Sequence, residues 1–239
     1  MEKKALITGA SRGIGKAVAK ELAAQGYGLY LACEKNIAQL QDYADTLFAE
    51  YKIHSSCFGG DIGNSSYIDD IFQQIASLDV LINCAGVAHF SLLQDMTDDA
   101  WHHIMRTNVD SVFYTCRKAI PLMLAQGGGC IINISSVWGS TGASMETAYS
   151  ASKGAVNALT KALGKELAPS HIRVNAIACG LIDTDMNSRL SSEELKEIIS
   201  GIPADRIGTP GEVAALALHL INAPEYLTGQ IITMDGGWT

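Results

Sequence analysis

Positive charge is scarce in this chain. Lysine and arginine number 17 against 25 acidic residues, a formal net charge of −8 at pH 7. Nucleic acid attracts proteins with a basic face, and no basic patch is visible here, so nucleic acid is excluded as a partner. Long hydrophobic runs are lacking too. The longest apolar stretches fall far below the roughly 20 residues of a membrane span, so no membrane partner is expected. The opening residues, MEKKALITGA, carry two lysines but only a short apolar run before glycine, unlike a signal or transit peptide. A soluble, cytoplasmic protein is the expectation. Six cysteines (33, 57, 84, 116, 130 and 179) include no C-x-x-C pair. Most sit inside apolar runs such as DVLINCAG, which predicts reduced, buried thiols rather than disulfides or metal ligands. His102 and His103 are adjacent, and neighbours on a helix point about 100° apart, a poor chelate. No metal site is predicted.

What the chain does have is apolar residues, 48% of its 239 positions. That suffices for the core of one large domain spanning 1–239. Short apolar runs alternate with helical patterns from end to end. KALIT (4–8), GLYLAC (28–33), HSSCF (54–58), DVLIN (79–83), CIINIS (130–135), IRVNAIA (172–178) and QIITM (230–234) read as strands. Helical stripes lie between them, at Ile14, Ala17, Val18 and Leu22, and again at Ala155, Val156, Leu159, Ala162, Leu163 and Leu167. Thr209, Pro210 and Glu212 form the start of another helix, with a capping box. Strands that are almost wholly apolar, each followed by a helix, predict an α/β fold. It is a doubly wound (Rossmann) domain with a seven-stranded parallel sheet covered by helices on both faces. One irregular region, 183–208, carries an amphipathic piece that is either plain packing or a flap over a site.

Two motifs carry chemistry. TGASRGIG follows the first strand and opens the first helix. Its Gly9, Gly13 and Gly15 permit a tight turn and let backbone approach a pyrophosphate at the positive helix N-terminus. In AYSASK, Tyr149 and Lys153 stand four apart, on one face of a helix. By itself that spacing is either a chance helical turn or a phenol set beside an ammonium, which lowers the phenol pKa.

TGASRGIG, NCAG (83–86), NISS (133–136), YSASK (149–153) and GQIITMDGG (229–237) resemble, in order and spacing, the motifs of the short-chain dehydrogenase/reductase family. The likeness runs from Lys3 to Trp238 and is greatest to the bacterial 3-oxoacyl-[acyl-carrier-protein] reductase branch. It implies a hydride-transferring enzyme with Tyr149 as general acid and Lys153 holding the nicotinamide ribose while lowering the tyrosine pKa. Ser136 would bind the carbonyl oxygen, and Asn108 would support a water-mediated relay to Lys153. By the same resemblance Gly9, Ser11, Arg12, Gly13, Ile14 and Gly15 cradle the cofactor, and Asp61 and Ile62 contact adenine. Asn83, Ala85 and Gly86 line the cofactor, and Ile182 and Thr184 meet the carboxamide. His89, Phe90, Val137, Trp138, Met145 and the 183–208 flap would build the substrate pocket.

Three residues depart from the family pattern. Cys84 replaces an asparagine, Cys179 a proline, and Cys33 the aspartate of NAD-preferring members. The Cys179 change predicts a less rigid loop before Ile182. With Arg12 available for a 2′-phosphate and Glu34 opposing one, NADP(H) is favoured over NAD(H). The resemblance implies a homotetramer reducing a small-molecule or carrier-bound ketone to a secondary alcohol. Related reductases also act on protein-borne ketones, including a modified lysine on elongation factor P. An NAD-dependent alcohol dehydrogenase and a non-catalytic cofactor-binding regulator are the other readings.

Overall fold

The computed structural model describes residues 2–188 and 190–239. Seven parallel strands form one sheet in the order β3-β2-β1-β4-β5-β6-β7. They are β1 (Lys4–Thr8), β2 (Gly28–Cys33), β3 (Ser55–Gly59), β4 (Val80–Asn83), β5 (Gly129–Ser136), β6 (Ile172–Cys179) and β7 (Ile231–Met234). The central strands are apolar on both faces because helices cover both. One core layer packs Val18, Leu22, Leu40 and Val213 on the sheet, and the opposite layer packs Ile68, Ile71, Met123 and Val156. The first helices are α1 (Gly13–Ala24), α2 (Ile37–Tyr51) and α3 (Ser65–Phe72). After β4 come α4 (Asp98–Met105), a π-helical stretch (Arg106–Asp110) and α5 (Ser111–Ala125). Beyond β5 lie α6 (Trp138–Thr141), α7 (Thr147–Leu167), α8 (Ser192–Ser200) and α9 (Pro210–Ile221). Among the described residues no helix is long and apolar enough to cross a membrane.

The strand order reverses between β1 and β4, and in such sheets a crevice opens beyond the strand ends at that point. The glycine-rich turn leaves β1 on one side of it and Cys84–Gly86 leave β4 on the other. At the far edge, the Arg173 side chain on β6 is buried and donates to the Leu220 and Ile221 carbonyls at 2.7 and 2.6 Å. A cation at a helix C-terminus satisfies carbonyls that the helix itself leaves unpaired. The other end of α9 has the expected capping box, Thr209 with Glu212.

A buried polar ladder fixes the helices that carry the candidate site. Asn83 donates to the Asn133 side-chain oxygen at 2.9 Å, and Asn133 donates to the Thr160 hydroxyl on α7 at 2.8 Å. Thr115 on α5 donates to the Asn83 oxygen at 2.7 Å. Asn83 therefore corrects one expectation: its amide faces this core, not the cofactor cleft, because the ladder uses both its oxygen and its nitrogen. Asn133→Val should lower unfolding free energy by about 1–3 kcal/mol, the cost of leaving the Asn83 amide without its acceptor. Urea unfolding measures this, and an unchanged midpoint would remove the ladder from the stability of the fold.

Candidate active site

A cavity of about 510 Å³ runs from the glycine-rich turn past the ends of β4, β5 and β6 to Trp138 and Trp238. Its lining includes Gly9, Ser11, Arg12, Gly13, Ile14, Asp61, Ile62, Ala85, Gly86, Ser136, Tyr149, Lys153, Ile182 and Thr184. The elements thus converge most of the residues singled out above. Gly15 lies beneath the lining, where a Cβ would collide with the Gly9 carbonyl. Gly13 has φ +52°, and a Cβ there would stand 3.2 Å from Thr184 Cγ2. Only glycine allows this close cradle at the start of α1. A cradle of bare backbone at a helix N-terminus fits the pyrophosphate of a dinucleotide.

Ser136, at the end of β5, and Tyr149, on α7, both line the cavity, and the serine hydroxyl acts on the phenol. The Ser136 hydroxyl also accepts from the Trp138 amide at 3.2 Å. The Lys153 ammonium is buried, donates to the Ile134 carbonyl at 2.9 Å and stands 5.6 Å from the Tyr149 ring centroid. Burial pulls the lysine pKa down. Burial also pushes the Tyr149 phenol above its ordinary range, against the opposing influence of the Ser136 hydroxyl. The expected lowering by Lys153 is thus reversed, because desolvating a phenolate costs more than this arrangement of neighbours returns.

Asn108 sits in the π-helical stretch, an irregularity frequent at functional sites. Its side-chain oxygen accepts from the Val87 amide at 2.8 Å. Its nitrogen donates to the Val87 carbonyl at 2.9 Å and the Ser152 hydroxyl at 3.0 Å. These bonds lock the loop after β4 onto α7. A Cβ on Gly86 would lie 3.4 Å from the Asn108 oxygen and 3.5 Å from the Lys153 nitrogen, so the three groups share one corner.

On the substrate side Phe90, Val137, Trp138, Met186, Asn187, Leu190 and Ile198 line the cavity, the last four from the 183–208 segment. His89 and Met145 do not line it and are exposed. The Met145 carbonyl instead accepts from the Ser91 amide at 3.0 Å, and Met145 adopts a left-handed φ of 63° that turns its side chain outward. The loop after β6 is pinned rather than loose. Gly180 donates to the Met234 carbonyl at 2.9 Å, and Ile182 bridges to Gly208. Burial pushes the Cys84 and Cys179 thiols up to about 11 and about 12, so both stay neutral.

Lys35 and Trp238 are among the lining residues that the sequence did not single out. Lys35 follows β2 in the wall with Cys33 and Glu34; its position directly after Glu34 was the available signal. Trp238 reaches the cavity from the C-terminal tail, and no local pattern announces that. Arg12 lies 3.4 Å from the Asp185 carboxylate, both exposed. Asp61 accepts from the Gly63 amide at 2.8 Å and pairs with Arg106 at 3.3 Å.

The short chain dehydrogenase family model matches residues 3–195. The uncharacterized oxidoreductase YmfI of Bacillus subtilis is 38% identical over 240 residues, covering 100% of this chain and 99% of that protein. The 3-oxoacyl-[acyl-carrier-protein] reductase FabG of Staphylococcus aureus is 37% identical, covering 99% of this chain and 98% of its own. The crystal structure of YwfH, an NADPH dependent reductase involved in bacilysin biosynthesis, superposes with a TM-score of 0.93 at 28% identity. It covers 100% of this chain and 99% of that one. Sheet order, motifs and relatives agree, and the chain belongs to the short-chain dehydrogenase/reductase family of oxidoreductases.

Proposed function

We propose that this protein is an NADPH-dependent carbonyl reductase, similar to 3-oxoacyl-[acyl-carrier-protein] reductases, that converts a ketone to a secondary alcohol. One observation carries the reading: Ser136, Tyr149 and Lys153 meet in the same cavity as the glycine cradle. A bound nicotinamide supplies the hydride. Tyr149, protonated at neutral pH like any phenol and more firmly so by its burial, donates its proton to the ketone oxygen. Ser136 orients that oxygen with a hydrogen bond from its hydroxyl. The Lys153 ammonium stabilises the phenolate left behind and passes on the replacement proton. Asn108 acts by position, bracing the loop after β4 against α7.

At the adenosine end Arg12 and Lys35 are the cations in reach of a 2′-phosphate, and the likeness to YwfH supports NADPH. Glu34 in the same wall favours the rival reading, an NAD-dependent alcohol dehydrogenase. A cytoplasmic homotetramer belongs to the same proposal and rests on family likeness.

The substrate is a small-molecule ketone or one borne on a protein that is not strongly acidic. An acidic carrier protein needs a basic dock at the mouth of the site. The cations lining the cavity are few and already engaged: Lys153 is buried, Arg12 faces Asp185 and Lys35 lies beside Glu34, on a chain of net charge −8.

Three outcomes are expected. Tyr149→Phe keeps cofactor affinity, measured by fluorescence titration, while turnover falls by about 100-fold or more, the scale of general acid catalysis. Near-normal turnover would dismiss Tyr149 as the proton donor. Arg12→Ala and Lys35→Ala each weaken NADPH by about tenfold or more, the worth of a charge-assisted bond, and NADH much less; equal losses would place both outside the phosphate site. Finally, an acetoacetyl group is reduced no faster on acyl carrier protein than on a small thioester at low salt. A carrier preference that fades as salt rises would reveal a basic dock and contradict the substrate reading.

A further inference from the structure

Two tryptophans meet at the substrate end of the cavity. Trp138 opens α6 two residues after Ser136, with its own amide bonded to the Ser136 hydroxyl. Trp238 arrives from the tail beyond β7. Their ring centroids are 4.9 Å apart and their planes cross at 62°, edge against face. Both line the cavity.

The backbone that carries Trp238 is held in place by its own tail. The Asp235 carboxylate accepts from the Gly237 and Thr239 amides at 2.9 and 2.8 Å and from the Thr239 hydroxyl at 2.9 Å. The Gly236 carbonyl accepts from Ala204 at 3.0 Å, which ties the tail to the far end of the 183–208 segment. A Cβ on Gly201 would lie 3.7 Å from the Trp238 indole nitrogen. Three chain segments therefore meet at one aromatic wall, and the backbone amide of Trp138 is itself anchored to the Ser136 hydroxyl. Met186, by contrast, is unbranched and able to repack around different substrates.

We propose that the Trp138–Trp238 pair sets substrate length. It closes the cleft beyond Ser136, so the site takes ketones with a short substituent on that side and excludes long acyl chains by steric conflict. The inference rests on the ketone-reductase reading above and goes further by naming the residues that limit its substrate.

The test separates the two. Thioesters of N-acetylcysteamine, from acetoacetyl to 3-oxodecanoyl, are titrated calorimetrically into protein saturated with NADP⁺, where no reduction can occur. Wild-type affinity is expected to fall by about tenfold or more from acetoacetyl to 3-oxooctanoyl, the scale on which pockets discriminate added methylenes. Trp238→Ala and Trp138→Val should each shrink that ratio, and circular dichroism checks that both variants fold. Wild-type affinity that is level or rises with chain length overturns the proposal and leaves the reductase reading intact. A fall that neither variant relieves does the same. Binding by none of the thioesters overturns both.

Discussion

The buried ammonium of Lys153 is the constraint around which this site is built. Taking a cation out of water costs several kcal/mol even after the protein relaxes, so the surroundings must hold it closely. The Ile134 carbonyl accepts its hydrogen bond, which requires α7 to lie flat against β5. Small residues make that approach possible. A Cβ on Gly139 would come within 2.7 Å of the Lys153 backbone carbon, so α6 can cross α7 there only as glycine. Polar rungs then fix the register: Asn133 to Thr160, and Ser135 to Asn157 at 2.7 Å. The same burial acts oppositely on the two functional groups. It holds the proton on Tyr149 and loosens one on Lys153, which suits a phenol that gives its proton up to substrate and an ammonium that resupplies it.

The cradle and the 183–208 segment are built as neighbours. Gly13 packs against Thr184, and Arg12 reaches Asp185 at 3.4 Å. An exposed ion pair of this kind contributes little to stability, so it is easily given up. A 2′-phosphate beside Arg12 would compete with Asp185 for the guanidinium. Arg12 thus stands between the glycine cradle and the 183–208 segment.

The sheet was legible because both faces of a parallel sheet are buried, and burial writes itself as apolar runs; even the short QIITM at 230–234 marks β7 within a residue. The glycine cradle was legible because its demands are local. Asn83 was not. Strand residues alternate faces, and nothing in NCAG says that its asparagine points to the helices while the next residue turns to the cleft. The phenol pKa was misjudged for a related reason. A four-residue spacing reports that Lys153 is near Tyr149 but is silent on how much water either has lost. Trp238 depends on a tail folded back by Asp235, a tertiary fact with no local period.

The three family departures have a common consequence in space. Cys33, Cys84 and Cys179 all line one cavity, at the ends of β2 and β6 and just past β4. Burial raises the pKa of each, so all three remain uncharged thiols at neutral pH. Cys84, whose own amide donates to the Thr8 hydroxyl at 3.0 Å, behaves there as a small, polarizable filler. A carboxylate at Cys33 would repel a phosphate, and an ionised thiol near Lys153 would draw off its field. Neutral sulfur does neither. The charges that line the cleft are therefore those of other side chains: Lys153 and Glu146 at the catalytic end, and Arg12 and Lys35, opposed by Glu34, Asp61 and Asp185, at the other.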